Sequence, residues 1–162
     1  MSAPRRSQAP RAARSIYVLN GPNLNRLGTR EPAIYGTTTL AEIEAQCRRE
    51  AGATPLEFRQ TNSEAELIGW IHEAVDRAAA IVINPAAWTF TSIAMLDALK
   101  MFDGPLIEVH LSNIRAREPM YHRSNVSPIA SAVIAGLGAA GYRAAVRILV
   151  AGDAAALRRK RS

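Results

Sequence analysis

Between residues 15 and 150, apolar stretches of strand length alternate with stretches of helical period, and this alternation restricts the fold more than any other feature. Residues 15–19 form a short apolar run closed by the turn-forming Asn20-Gly21-Pro22-Asn23. Residues 39–51 predict a helix: Thr39 can cap it, Glu42 stands where a capping box needs it, and Leu40, Ile43 and Cys47 share a face. A second strand follows at 56–60. From Ser63 onward, Ala65, Leu67, Ile68, Ile71 and Ala74 recur at helical spacing, so this helix is expected to run to about residue 79. Residues 80–84 are continuously apolar, as in a strand covered on both faces. A helix over roughly 92–102 leads through Gly104-Pro105 into a strand at 106–111. A polar loop at 112–127 then precedes a last strand at 130–134 and a closing helix from about Ala139.

Strand-helix alternation of this kind requires parallel strands, because each helix must carry the chain back across the sheet. Five strands suit the flavodoxin-like order 2-1-3-4-5, an α/β fold with helices on both faces. Ligands of such sheets bind beyond the carboxyl ends of the strands. Three polar clusters are expected there, at residues 20–35, 84–92 and 110–123.

A chain of 162 residues suits one domain, here residues 15–152. The net charge of +6 would suggest a nucleic-acid partner if it were spread over that domain, but it is not. Arg5, Arg6, Arg11 and Arg14 precede the domain, and Arg158, Arg159, Lys160 and Arg161 follow it. The other twelve basic residues face thirteen acidic ones within residues 15–152, so the body is slightly acidic. The ends, residues 1–14 and 153–162, are expected to be solvated, disordered tails, and no nucleic-acid partner is expected. The leader is also rich in Arg and Ala and free of acid, as organelle transit peptides are. No apolar run approaches the ~20 residues of a membrane helix, and no secretory signal is evident, so the expected compartment is the cytosol, with no membrane partner. The single Cys47 excludes an internal disulfide, and His72, His110 and His122 lack zinc-ligand spacing, so no metal is expected.

Gly136-Leu137-Gly138-Ala139-Ala140-Gly141 matches the dinucleotide fingerprint in spelling only. Only 21 residues follow Gly141, too few for the acidic strand that would hold a ribose, so close packing of the last helix on the sheet is the better account. The segment from Asn20 to Gly36 is long for a strand-to-helix connection and reads as a lid or binding loop, with Gly28 and Gly36 as candidate pivots around Arg30 and Tyr35.

Several segments together resemble the type II 3-dehydroquinate dehydratases. They include Asn20-Gly-Pro-Asn-Leu-Asn, Leu27-Gly-Thr-Arg-Glu-Pro, Ile34-Tyr-Gly, Phe58-Arg-Gln-Thr-Asn-Ser-Glu, Ile83-Asn-Pro-Ala-Ala, Ile107-Glu-Val-His-Leu-Ser-Asn-Ile and Ala135-Gly-Leu-Gly. The resemblance covers about residues 16–150 and implies cofactor-free loss of water from a cyclic β-hydroxy ketone carrying a carboxylate, through an enolate. Such a reaction needs a base for the proton α to the ketone, a donor to the enolate oxygen, and an acid for the departing hydroxyl.

By position, the resemblance makes Tyr35 the base; free phenol titrates near pH 10, so its anion needs stabilising, a role that falls to Arg30. Asn23 would hold a water at the enolate oxygen, and His110 would be the acid, a task suited to imidazole. Glu108, on the same side of the strand, would orient it. Asn84 and the main-chain N–H groups of Leu111 and Ser112 would grip the carboxylate. The resemblance further implies a homo-oligomer, a dodecamer of four trimers, in which Asp97 reaches a neighbouring site.

The chain departs from the family's pattern at three substrate-binding positions: Phe90 replaces a histidine, Tyr121 an arginine, and Leu96 an arginine. Losing one charged hydrogen bond costs about 1.5–3 kcal/mol. The leading expectation is therefore a 3-dehydroquinate dehydratase of the shikimate or quinate pathway. Two alternatives stay open: a paralogue that dehydrates another cyclic hydroxy-keto acid, and a non-catalytic small-molecule binder.

Overall fold

The computed structural model describes residues 14–152 and Leu157. The basic leader and tail lie outside the described residues, apart from Arg14 and Leu157. In chain order the elements are β1 (Ser15–Asn20), α1 (Pro32–Tyr35), α2 (Leu40–Ala51), β2 (Leu56–Gln60), α3 (Glu64–Arg77) and β3 (Ala78–Asn84). Then come α4 (Trp88–Thr91), α5 (Ile93–Lys100), β4 (Leu106–His110), β5 (Ala132–Ala135) and α6 (Ala139–Val150). The five strands are parallel, in the order β2-β1-β3-β4-β5, which is the expected flavodoxin-like arrangement.

Strand periodicity divides the core into two layers. Ile16, Val18, Val82, Ile107 and Val109 point to the face covered by α2 and α6, where they meet Ile43, Cys47, Tyr142 and Val146. Tyr17, Leu19, Ile81, Ile83 and Leu106 point to the other face and meet Leu67, Ile71, Met95 and Leu99 of α3 and α5. Because both faces are covered, neighbouring residues of β1 and β3 are apolar from Ile16 to Leu19 and from Ala78 to Ile83, and the polar residues come at their carboxyl ends.

Local signals fix several boundaries. Thr39 caps α2: its hydroxyl accepts the Glu42 N–H at 3.2 Å, while the Glu42 carboxylate accepts the Thr39 N–H at 2.7 Å. Ser63 caps α3 and Ser92 caps α5 with the hydroxyl alone, accepting the N–H groups of Glu66 and Met95. Elsewhere pairing overrides pattern. The expected helix to residue 79 ends at Arg77, and β3 begins at Ala78 rather than 80, because Ala78 pairs with Ser15 and is buried. Alanine accommodates either state, and the neighbouring strand decides. The last strand runs 132–135 instead of 130–134, since the Ala130 N–H closes a turn on the Val126 carbonyl and the register with β4 starts at Ala132. The helix expected over 92–102 is α5, ending at Lys100, and the strand expected to reach Leu111 ends at His110.

Of the glycines in the 136–141 motif, Gly141 serves the packing of α6 on the sheet, while Gly136 and Gly138 take positive φ. A Cβ on Gly141 would lie 3.2 Å from Cγ2 of Ile134, so glycine lets α6 approach the sheet. Among the described residues no helix is long and apolar enough to cross a membrane.

Candidate active site

The carboxyl ends of β1, β3 and β4 open into one cleft, and two loops border it. The first, after β1, is pinned by buried Leu24 and Leu27 and then rises through Arg30 to the single turn of α1, whose last residue is Tyr35. Gly28 and Gly36, which flank that part, both have positive φ (90° and 79°). The second loop follows β4 and carries two 3-10 turns, Ile114–Ala116 and Pro119–Tyr121.

Close approach of the β1 and β3 ends makes the floor. The Gly21 N–H donates to the Asn84 carbonyl at 2.8 Å, and any Cβ on Gly21 would meet the Pro85 carbonyl oxygen at 2.3 Å. Asn20 and Asn84, the last residues of their strands, stand opposite each other in register. Tyr142 of α6 joins them: its hydroxyl accepts the Asn84 amide at 2.8 Å and donates to Asn20 Oδ1 at 2.7 Å. Asn84 Oδ1 also accepts the Ala86 N–H at 3.1 Å, so the orientation of its amide is fixed.

Of the expected site residues, Asn23, Arg30, Tyr35, Asn84, Phe90, His110, Leu111, Ser112 and Tyr121 all line this cleft. Tyr35 and His110, which come from different loops and strands, open onto the same space. Asp97 does not join them; it is exposed on α5, paired with Lys100 at 3.2 Å. Leu96 is also absent from the lining.

The phenol of Tyr35 meets two arginines, the expected Arg30 and also Arg117. Arg30 was expected to stabilise the anion, and its guanidinium carbon lies 5.1 Å from the Tyr35 ring centroid. The hydrogen bond to the phenol oxygen comes instead from Arg117 Nη1 at 3.0 Å. That donor is cationic and partly buried, so it favours negative charge on the oxygen. Arg117 also lies 4.0 Å from the Tyr121 ring centroid, between the two tyrosines. Sequence spacing gives no sign of this contact, since Arg117 belongs to another polar cluster. Arg115 and Arg123, which share that cluster, are exposed and do not line the cleft.

Glu108 and His110 stand on the α3/α5 side of β4, two residues apart, and Glu108 Oε1 accepts the His110 Nε2 proton at 2.8 Å. Glu108 is fully buried, yet its carboxyl lies below the usual carboxylate range. Burial pushes it up most strongly, while hydrogen bonds from His110, Ser127 and Thr89, and the charge of His110, pull it further down. Phe90 stacks along His110, with ring centroids 6.3 Å apart and planes tilted by 23°. Tyr121 meets Phe90 edge-on at 5.4 Å, and these two rings make one wall of the cleft aromatic.

The arrangement can therefore hold an anionic oxygen beside two guanidinium groups and, across the cleft, an imidazole oriented by a buried carboxylate. A proton acceptor and a proton donor facing one space are what an elimination requires.

Residues 14–150 match the family model described as Dehydroquinase class II. The chain is 55% identical to the 3-dehydroquinate dehydratase of Salinispora arenicola over 138 residues, which are 84% of this chain and 96% of that protein. It is 61% identical to the 3-dehydroquinate dehydratase 2 of Pseudomonas putida over 133 residues, 81% of this chain and 89% of that protein. The crystal structure of the type II dehydroquinase from Propionibacterium acnes superposes with a TM-score of 0.81 at 50% identity, covering 85% of this chain and 97% of that one.

Proposed function

The chain belongs to the class II dehydroquinase family, and from that premise we infer that it is a 3-dehydroquinate dehydratase, a hydro-lyase converting 3-dehydroquinate to 3-dehydroshikimate and water. The observation that carries this reading is the convergence of Tyr35 and His110 on one cleft, with the buried Glu108 bonded to the imidazole behind it.

In the proposed reaction the Tyr35 phenolate takes the proton α to the ketone. The C–H electron pair enters the enolate, whose oxygen is met by a water held at Asn23. Collapse of the enolate expels the β-hydroxyl, which leaves as water with the His110 proton. Proton return from Tyr35 to His110 restores both groups. Arg117 and Arg30 stabilise the phenolate, and Glu108 stabilises the imidazolium. Asn84 and the N–H groups of Leu111 and Ser112 hold the substrate carboxylate; neither N–H donates a hydrogen bond within the described residues.

We further read Asp97 as serving a neighbouring subunit in a homo-oligomer, a dodecamer, since it lies outside its own cleft. Ile93 of α5 and Met101 just beyond it are 59% and 50% exposed, which suits a surface covered in an assembly. The cytosol is the proposed compartment.

A second reading has its own support. The aromatic wall of Phe90 and Tyr121 offers one hydroxyl and no charge, so it suits a less hydroxylated cyclic keto acid processed by the same elimination. One assay separates the cases: purified protein is given 3-dehydroquinate and ultraviolet absorbance follows the conjugated product. Turnover lost in Tyr35→Phe supports the dehydratase. Binding without turnover would support a binder, and neither binding nor turnover would support the altered substrate.

A further inference from the structure

Around Glu108 lies a shell of hydroxyls that the proposed reaction does not use. Oε1 accepts the His110 ring N–H at 2.8 Å, the Thr89 hydroxyl at 2.6 Å and the Ser124 hydroxyl at 2.7 Å, while Oε2 accepts the Ser127 hydroxyl. Thr89 belongs to α4; Ser124 and Ser127 belong to the loop that carries Arg117 and Tyr121. The Ser124 oxygen also accepts the N–H groups of Val126 at 3.0 Å and Ser127 at 2.9 Å, and the Asn125 N–H donates to the Thr89 carbonyl at 2.8 Å. One carboxylate thus clamps a strand, a helical turn and a loop together.

Three donors crowd Oε1, and Ser127 is the donor on Oε2 among the described residues. An ionised Glu108 can accept from all four at once, whereas a protonated one holds its own proton on one oxygen and accepts from them more weakly. Among the described residues the titratable group bonded to Glu108 is His110 on its own strand, while α4 and the loop meet it with hydroxyls. With its Nε2 proton committed to Glu108, His110 has Nδ1 left for the cleft.

We propose that Ser127, assisted by Thr89 and Ser124, is a positioning residue for the dehydration, keeping Glu108 ionised and fixed so that His110 offers Nδ1 to the departing hydroxyl. This rests on the reading of His110 as the acid, but it can be tested apart from it. Ser127→Ala removes the donor on Oε2, and Ser127→Thr retains a hydroxyl.

The acid limb of kcat/KM is expected to move up by roughly one pH unit in Ser127→Ala, about the hold of one donor on a carboxylate, and to return in Ser127→Thr. A second readout needs no substrate. The melting-temperature gap between wild type and Ser127→Ala should narrow as pH falls below the usual carboxylate range, where the wild-type Glu108 gains its proton, because Ser127 holds the ionised carboxylate more strongly than the protonated one. A gap that is constant with pH, or acid limbs that superimpose, would overturn the proposal. If Ser127→Ala does not fold, Thr89→Val carries both readouts. Should the wild type fail to turn over 3-dehydroquinate, the proposed function falls and the melting comparison still decides this point.

Discussion

Arg117 donates a hydrogen bond to the Tyr35 oxygen at 3.0 Å, although the two residues are 82 positions apart. The contact joins the loop after β1 to the loop after β4, so the group proposed as the base is held by both borders of the cleft.

Arg117→Met should therefore lower kcat, with little change in melting temperature. Removing one charge-assisted hydrogen bond is worth about 1.5–3 kcal/mol, or roughly tenfold to 150-fold in rate. Arg30→Met should lose less, since its guanidinium meets the ring of Tyr35 and is not hydrogen-bonded to the oxygen. Steady-state kinetics on both variants check the order; an equal or larger loss at Arg30 would contradict it.

Tyr142→Phe should destabilise the protein without touching the reacting groups. The change strips Asn20 Oδ1 and the Asn84 amide of a buried partner, at about 1–3 kcal/mol for each group left unpaired. Urea unfolding measures the loss, and a raised KM should accompany it as Asn84 gains freedom.

Acid stability should depend on Glu73. Hydrogen bonds from Arg59 and Tyr17 hold its carboxyl at about 2, against an ordinary 4.5. Because the folded value lies below the unfolded one, this stabilisation is complete above about pH 4.5 and is lost as pH falls towards about 2. Glu73→Gln should be less stable than wild type at neutrality, with the difference shrinking in acid. Unfolding curves at several pH values would show it, and a difference that widened in acid would refute the assignment.

The double variant Phe90→His, Tyr121→Arg tests the aromatic wall. If the hydroxylated substrate is disfavoured by those rings, the pair of changes should lower KM for 3-dehydroquinate by about tenfold or more, one charged hydrogen bond's worth. An unchanged KM would mean that Tyr121 and Arg117 already suffice.

Asp97→Ala should reduce activity by about tenfold or more although Asp97 lies outside its own cleft, if it binds across a subunit boundary. Sedimentation of the wild type should show a large oligomer. A fully active monomer would remove the basis for that role.

The amino-acid sequence alone determined the five strands, the helices α2, α3, α5 and α6, and the faces they bury; the single turns α1 and α4 were not among them. Strand and helix periods, the Thr39–Glu42 capping box and the turn at Asn20 to Asn23 are encoded within a few residues, because backbone geometry and side-chain direction are local. The pairing of Glu108 with His110 was legible for the same reason: residues two apart on a strand share a face. Tertiary structure decided what meets across the chain. That Ala78 joins a strand, that Tyr142 bridges Asn20 and Asn84, and that Ser124 and Ser127 close on Glu108 all follow from strand order and register, which bring the ends of distant segments to one edge of the sheet. The partner of Tyr35 was hidden likewise: Arg30 is near in sequence, but the folded loops deliver Arg117 to its oxygen.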